Sequence, residues 1–106
     1  MEIYVIGVDY DKGVYQDRAY DNVLLTTIES GRKHKSTTTH VVGFDVAKNP
    51  VIKVKNNFAE RVMSNGFDIK SFEDLNHCKV DFSFDRYGNV DCVKVLKQNA
   101  IEIILV

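Results

Sequence analysis

The segment that most constrains the fold lies near the end of the chain, where polar and apolar residues alternate strictly from Lys79 to Asp85. A period of two is typical of a strand with one buried face. The residues Tyr87-Gly88-Asn89 supply a turn, and a second apolar run returns from Val90 to Lys97. We therefore predict an antiparallel hairpin whose register pairs apolar residues on one face and opposite charges on the other. The predicted pairs are Val80 with Val95, Phe82 with Val93, and Asp81 with Lys94.

Three further strands are predicted from runs rich in β-branched and aromatic residues. They extend over Glu2 to Tyr10, Tyr20 to Ile28 and His40 to Val46. A turn at Asp11-Lys12-Gly13 separates the first two strands, and the polar loop from Arg32 to Thr39 separates the second from the third. A short β-branched run follows from Val51 to Val54.

One helix is predicted between the third strand and the hairpin. Asn57 is suited to cap its N-terminus, Glu60 lies at the third helical position, and Gly66 ends it. A second short helical turn begins at Ser71, with Asp74 three residues later in the spacing of a capping box.

The order of these elements is strand, strand, strand, short helix, strand, strand, in a chain of 106 residues that suffices for one hydrophobic core. A helix between the third and fourth strands of a five-stranded antiparallel barrel is the layout of the OB-fold. We therefore predict an all-β protein with one short helix, folded as a single OB-like domain over residues 1–106. An antiparallel sandwich or another small barrel fits the same order.

Composition narrows the classes of function. The 14 lysines and arginines nearly balance the 15 acidic residues and give a formal net charge of −1, whereas proteins that coat duplex DNA rely on a large positive excess. A local groove for nucleic acid remains compatible with this balance. The first residues do not resemble a targeting segment, no apolar run is long enough to cross a bilayer, and the two cysteines suit a reducing compartment. These features predict a cytoplasmic protein with no membrane partner.

OB-fold barrels bind single strands across strands two and three, between the loops that join strands one to two and four to five. Binding needs aromatic rings on which bases stack and cations that neutralise phosphates. Both residue types occur at the corresponding positions of this chain. The predicted stacking residues are Tyr10, Tyr15, Tyr20 and Tyr87; the predicted phosphate contacts are Lys12, Arg18, Arg32, Lys33, Lys35 and Arg86, with Lys53 and Lys55 extending the track.

Two parts of the chain resemble small single-stranded DNA-binding proteins of phages and mobile elements. The first part comprises Tyr4-Val5-Ile6-Gly7-Val8-Asp9, Lys12-Gly13-Val14 and Tyr20-Asp21-Asn22-Val23, and the second is the hairpin Phe84-Asp85-Arg86-Tyr87-Gly88-Asn89-Val90. The resemblance covers residues 1–28 and 78–97. It implies a homodimer that coats replication or transfer intermediates non-specifically in the cytoplasm of a bacterial host.

Enzymatic motifs are not found in the sequence, and we predict no catalysis, cofactor, metal or small-molecule substrate. His34 and His40 lie six residues apart with no cysteine nearby in the sequence to complete a zinc site. The rival hypothesis is a small phage-encoded interaction module that inhibits a host enzyme, which the near-zero charge fits equally well. The β-prone run Ala100 to Val106 either pairs within the barrel or forms a subunit interface.

Overall fold

The computed structural model describes residues 2–31, 35–42 and 58–100, with the backbone alone for Arg18, Ala19 and Lys35. These residues form six strands, one α-helix and one 3-10 helix. The strands are β1 (Glu2–Tyr15), β2 (Arg18–Ser30), β3 (Lys35–Val42), β4 (Val62–Met63), β5 (Lys79–Phe84) and β6 (Val90–Lys97); α1 spans Phe58–Arg61 and the 3-10 helix spans Phe72–Leu75. Neither helix has the length and apolar character needed to cross a membrane.

Strands β1 and β2 form a long antiparallel ribbon that extends to the pair Tyr15 and Arg18. The ribbon turns at Gln16-Asp17, where φ is 48° and 61°. A two-residue hairpin loop of this kind requires positive φ at both positions, and Asp tolerates it better than most residues. The predicted turn at Asp11-Lys12-Gly13 is wrong, because these residues continue β1 opposite residues 20–22.

Strand β3 pairs antiparallel with β2 along its whole length. The polar loop predicted from Arg32 to Thr39 is wrong from residue 35 onward, because residues 35–39 belong to β3. Threonine is β-branched and favours strands, and Thr37-Thr38-Thr39 lies opposite Thr26, Thr27 and Ile28. Residues 43–46 of the predicted third strand and the predicted run 51–54 lie outside the described residues.

Strands β5 and β6 form the predicted hairpin, and all three predicted residue pairs stand opposite each other. The register shifts near the turn, since Ser83 lies opposite Cys92 whereas Phe84 lies opposite Val90. Asp91 is therefore the extra residue of a β-bulge. The prediction is confirmed because the apolar alternation of the two strands and the charge pair on the other face require the same register.

The sheet closes into a barrel where β3 meets β6. Its strand order is β3-β2-β1-β5-β6-β4, and an additional bridge joins Val42 of β3 to Val90 of β6. Five strands complete the barrel, and the two-residue β4 lies outside it beside β6. The predicted five-stranded barrel with one short helix is confirmed and is compatible with an OB-like fold. The sheet is mixed rather than antiparallel throughout, because β3 and β4 both run parallel to β6.

The core combines the inward side chains of the barrel with residues of the segment between β4 and β5. Ile69, Phe72 and Leu75 belong to the same buried cluster as the strand valines. Phe58 of α1 contacts Phe72 edge to face, with ring centroids 5.2 Å apart. This packing holds the helical segment against the barrel.

The two predicted helical signals have different outcomes. The capping box is confirmed, since the Asp74 carboxylate accepts hydrogen bonds from the backbone N–H groups of Ser71 (3.1 Å) and Lys70 (2.8 Å). The helix predicted to continue to Gly66 ends at Arg61 instead. Val62 leaves it for β4, where it is buried beside Val93 of the barrel. Burial of this side chain against β6 overrides the local helix signal.

Candidate nucleic-acid interface

The outer surface of β2 and β3 is the face on which OB-like barrels bind single strands. Val23, Leu25 and Thr27 of β2 are buried, so the residues that alternate with them face outward. The same alternation applies on β3, where Val42 is buried. We call the result the outer β2–β3 face; it consists of Leu24, Thr26, Ile28, Thr37, Thr39 and Val41.

The outer β2–β3 face is apolar and threonine-rich. Thr37 and Thr39 are exposed, and the remaining members are half-buried. The hydroxyl oxygens of Thr26 and Thr39 lie 3.4 Å apart across the strand pair. None of the six residues is aromatic or charged, so this face offers van der Waals contact and hydroxyl groups. The aromatic rings and cations that nucleic-acid binding requires must therefore come from residues at the borders of the face.

Two of the predicted tyrosines border this face on the β1–β2 ribbon. Tyr20 lies on the same side of β2 as Leu24, because the two residues are four positions apart and side chains alternate between the two sides of a strand. Tyr15 lies on this side of β1 and its ring is 59% exposed. Tyr20 lies directly opposite Gly13, and a Cβ atom at Gly13 would stand 2.5 Å from the Tyr20 hydroxyl oxygen. The Tyr20 ring therefore covers the glycine, an arrangement that stabilises a glycine within a strand.

Tyr10 and Lys12 lie on the opposite side of the ribbon. Tyr10 is paired with the buried Val23 and therefore shares the side of β2 that faces the barrel interior. Its hydroxyl donates a hydrogen bond to Glu73 of the 3-10 helix. Burial is the main cause that raises the pKa of Tyr10, and the hydrogen bond to Glu73 is the second cause. The same hydrogen bond lowers the pKa of Glu73. The structure thus separates Tyr10 and Lys12 from Tyr15 and Tyr20.

The turn between β5 and β6 presents the other predicted aromatic residue. Tyr87 is 73% exposed, and the Arg86 guanidinium lies over its ring, 4.8 Å from the ring centroid. Arg86 also donates a hydrogen bond of 2.5 Å to the Tyr87 hydroxyl. Asp85 fixes the turn, because its Oδ1 accepts hydrogen bonds from the backbone N–H groups of Tyr87 (2.8 Å) and Asn89 (3.0 Å). Gly88 has a φ of 83°, which the turn requires and glycine adopts easily.

The barrel register brings this turn to the border of β3. One row of paired residues runs from Tyr10 through Val23 and Val42 to Val90, which directly follows the turn. Neighbouring strands lie about 4.8 Å apart, so Val90 lies one strand spacing from Val42 at the end of β3. The β5–β6 turn, which carries Tyr87, therefore lies beside the end of β3 at Val42.

The charges around the outer β2–β3 face are mostly acidic among the described side chains. Asp9 and Asp11 are exposed on the β1 side of this face, opposite Leu24 and Asn22. The two described cations of the predicted set are Lys12, on the other side of the ribbon, and Arg86. The predicted residues Arg32, Lys33, Lys53 and Lys55 lie outside the described residues, and Arg18 and Lys35 are described by their backbone alone.

A polar pair that was not predicted from the sequence lies at the inner side of β2 and β3. Nε2 of His40 and Oε1 of Glu29 lie 2.6 Å apart, and each side chain is 14% exposed. The buried Thr27 hydroxyl donates a hydrogen bond to the same Glu29 oxygen. The His40 ring packs against Phe82 and Phe84 of β5, with centroids 5.2 and 5.8 Å away. The pair was not predicted because residues 36–39 were assigned to a loop. Only the pairing of β3 with β2 places Glu29 and His40 on the same face of the sheet.

A concave cleft lies beside the β5–β6 turn. Its volume is about 430 Å³, and its described lining consists of Arg61, Asp85, Tyr87 and Asn89. Arg61, the last residue of α1, donates a 2.8 Å hydrogen bond from its NH1 atom to the carboxylate of Asp91 in the β6 bulge. The cleft thus has one aromatic wall and several polar groups. Its volume lies within the range of small-molecule sites, roughly 300–1,000 Å³.

No known protein family, curated protein or solved structure matches this chain. Within residues 2–31, 35–42 and 58–100, no three His, Cys, Asp or Glu side chains are grouped as a metal site would require. Both cysteines are free thiols, Cys78 buried and Cys92 half-buried, and burial raises the pKa of the Cys78 thiol.

Proposed function

We propose that this protein binds single-stranded DNA without sequence specificity and protects replication or transfer intermediates. The observation that carries the proposal is the exposed Tyr87 ring, with Arg86 held over it, at the turn that borders the outer β2–β3 face. A ring of this kind stacks on any base, because every base has a π face, and an adjacent guanidinium neutralises the neighbouring phosphate. Tyr15 and Tyr20 supply a second stacking position on the β1–β2 ribbon.

The bound strand crosses the outer β2–β3 face from the ribbon to the β5–β6 turn. The threonine hydroxyls of this face contact the DNA backbone. The predicted cations Arg32, Lys33, Lys35, Lys53 and Lys55 complete the phosphate contacts. Following the resemblance, the protein acts as a homodimer in the cytoplasm of a bacterial host, encoded by a phage or mobile element. Affinity then comes from stacking and from the phosphates that local cations neutralise, and the number of those phosphates sets the salt dependence.

The proposal is tested by titrating the purified protein into labelled oligo(dT) and into a duplex of equal length, following fluorescence anisotropy at low and moderate salt. We expect binding of the single strand, weaker binding of the duplex, and a loss of affinity as salt rises. Absence of binding to either DNA at low salt contradicts the proposal.

The second candidate is a protein-interaction module that inhibits a host enzyme. The exposed Asp9 and Asp11 beside the outer β2–β3 face favour it, because acids at this border repel phosphates and suit a basic protein surface. Simultaneous replacement of Arg32, Lys33 and Lys35 by serine distinguishes the two. Loss of DNA affinity in this triple variant supports DNA binding, whereas a variant with unaltered function in the host supports the interaction module.

A further inference from the structure

The cleft beside the β5–β6 turn has a polar wall whose chemistry discriminates between bases. Asp85 lines the cleft, and both of its described hydrogen bonds to the turn use Oδ1. Its Oδ2 therefore stays available as an acceptor within the described part of the chain. An ionised carboxylate only accepts hydrogen bonds, so the Asp85 side of the cleft suits a base edge that donates. The Arg61 guanidinium also lines the cleft, and its Nη1 donates to Asp91.

The aromatic wall of the cleft places a base against that carboxylate. Tyr87 lines the cleft, whereas Arg86 lies over the Tyr87 ring and is not among the described lining residues. A base that enters the cleft therefore stacks on Tyr87 while its phosphate stays outside, near Arg86. This arrangement also avoids bringing a phosphate to Asp85 and Asp91.

We propose that this cleft holds one base of the bound strand and selects a base that carries an amino group, cytosine before thymine. The proposal rests on the proposed DNA-binding function and adds one position of base preference to an otherwise non-specific surface. The amino group at N4 of cytosine donates to a carboxylate, and thymine presents a carbonyl oxygen at the same place. Thymine therefore brings two acceptors together at Oδ2 of Asp85.

The test compares oligo(dC) with oligo(dT) of equal length at pH 7.5, because the two strands carry equal backbone charge and differ in their bases. The wild-type protein is expected to bind oligo(dC) about three- to tenfold more tightly. Asp85→Asn keeps an Oδ1 acceptor for the backbone N–H groups of the turn and replaces the second oxygen by a donor. The affinity ratio of this variant is expected to fall to one or to reverse.

Asp68→Asn is the matched control, because it removes the same charge from an exposed side chain elsewhere and is expected to keep the wild-type ratio. Backbone amide chemical shifts of Tyr87 and Asn89 establish that the turn is intact in Asp85→Asn. Equal affinity of the wild-type protein for the two strands, or a preference that persists in Asp85→Asn, overturns the base-selecting cleft while DNA binding stands. Failure to bind either strand instead overturns the proposed function, and the cleft proposal with it.

Discussion

Replacing Tyr87 by alanine removes the most exposed aromatic ring of the proposed interface. Stacking of one base on an aromatic side chain contributes about 1–3 kcal/mol, and about 1.4 kcal/mol corresponds to a factor of ten in affinity. Tyr87→Ala is therefore expected to weaken binding of oligo(dT) by about 5- to 140-fold, measured by fluorescence anisotropy of the labelled strand. Because the side chain is exposed, the free energy of unfolding should change by less than about 0.5 kcal/mol.

Two further variants separate stacking from other contributions. Tyr87→Phe keeps the ring and loses only the hydroxyl that accepts the hydrogen bond from Arg86, so its affinity should stay within about threefold of the wild type. Met63→Ala removes an apolar side chain that is 55% exposed on β4, outside the barrel, and should leave affinity unchanged. A stacking role for Tyr87 is refuted if Tyr87→Ala binds oligo(dT) like the wild type, or if Met63→Ala loses as much affinity as Tyr87→Ala.

Three other predictions concern pH dependence and stability. The hydrogen bond from the Tyr10 hydroxyl lowers the pKa of Glu73 in the folded state. This contact therefore stabilises the fold above the ordinary pKa of the carboxyl group, and the stabilisation is lost as pH falls through the lowered pKa. Tyr10→Phe should raise the Glu73 pKa, measured by NMR titration of the Glu73 carboxyl carbon. Asp74→Ala leaves the backbone N–H groups of Lys70 and Ser71 without their acceptor and should lower the urea midpoint of unfolding, whereas an unchanged midpoint contradicts the capping role. Val95→Ala leaves a cavity in the fully buried core and should cost about 2 kcal/mol in the same assay, and a cost below about 0.5 kcal/mol contradicts tight packing there.

The parts of the fold that the sequence predicts are those where two independent patterns agree. The β5–β6 register follows from apolar alternation and from the Asp81–Lys94 pair on the opposite face, and both require the same alignment. The cap at Asp74 follows from a local spacing that needs no tertiary partner. These features are determined within a few residues or between adjacent strands.

The sequence mispredicts features that depend on contacts between distant residues. The segment Asp11-Lys12-Gly13 has turn composition, yet it is a strand because Tyr20 covers Gly13 and the turn forms at Gln16-Asp17. Val62 leaves the predicted helix because it is buried beside Val93. Parallel pairing of β3 with β6 is a consequence of barrel closure, which no local pattern specifies.

The structure places the predicted tyrosines on different sides of the β1–β2 ribbon. Tyr15 and Tyr20 lie on the side of the outer β2–β3 face, whereas Tyr10 contacts Glu73 on the other side. The sequence alone did not separate them, because the side on which a ribbon residue lies depends on where the turn occurs and on the bulge between Val5 and Gly7.

The most direct test of a DNA-binding face on β2 and β3 is an NMR titration of the isotope-labelled protein with oligo(dT). We expect the largest backbone amide shifts on residues 15–20 and 86–88 and on the outer β2–β3 face, and we expect all of them to saturate together. Shifts confined to β4 and the adjoining surface of β6, or no shifts at all, would contradict a DNA-binding face on β2 and β3.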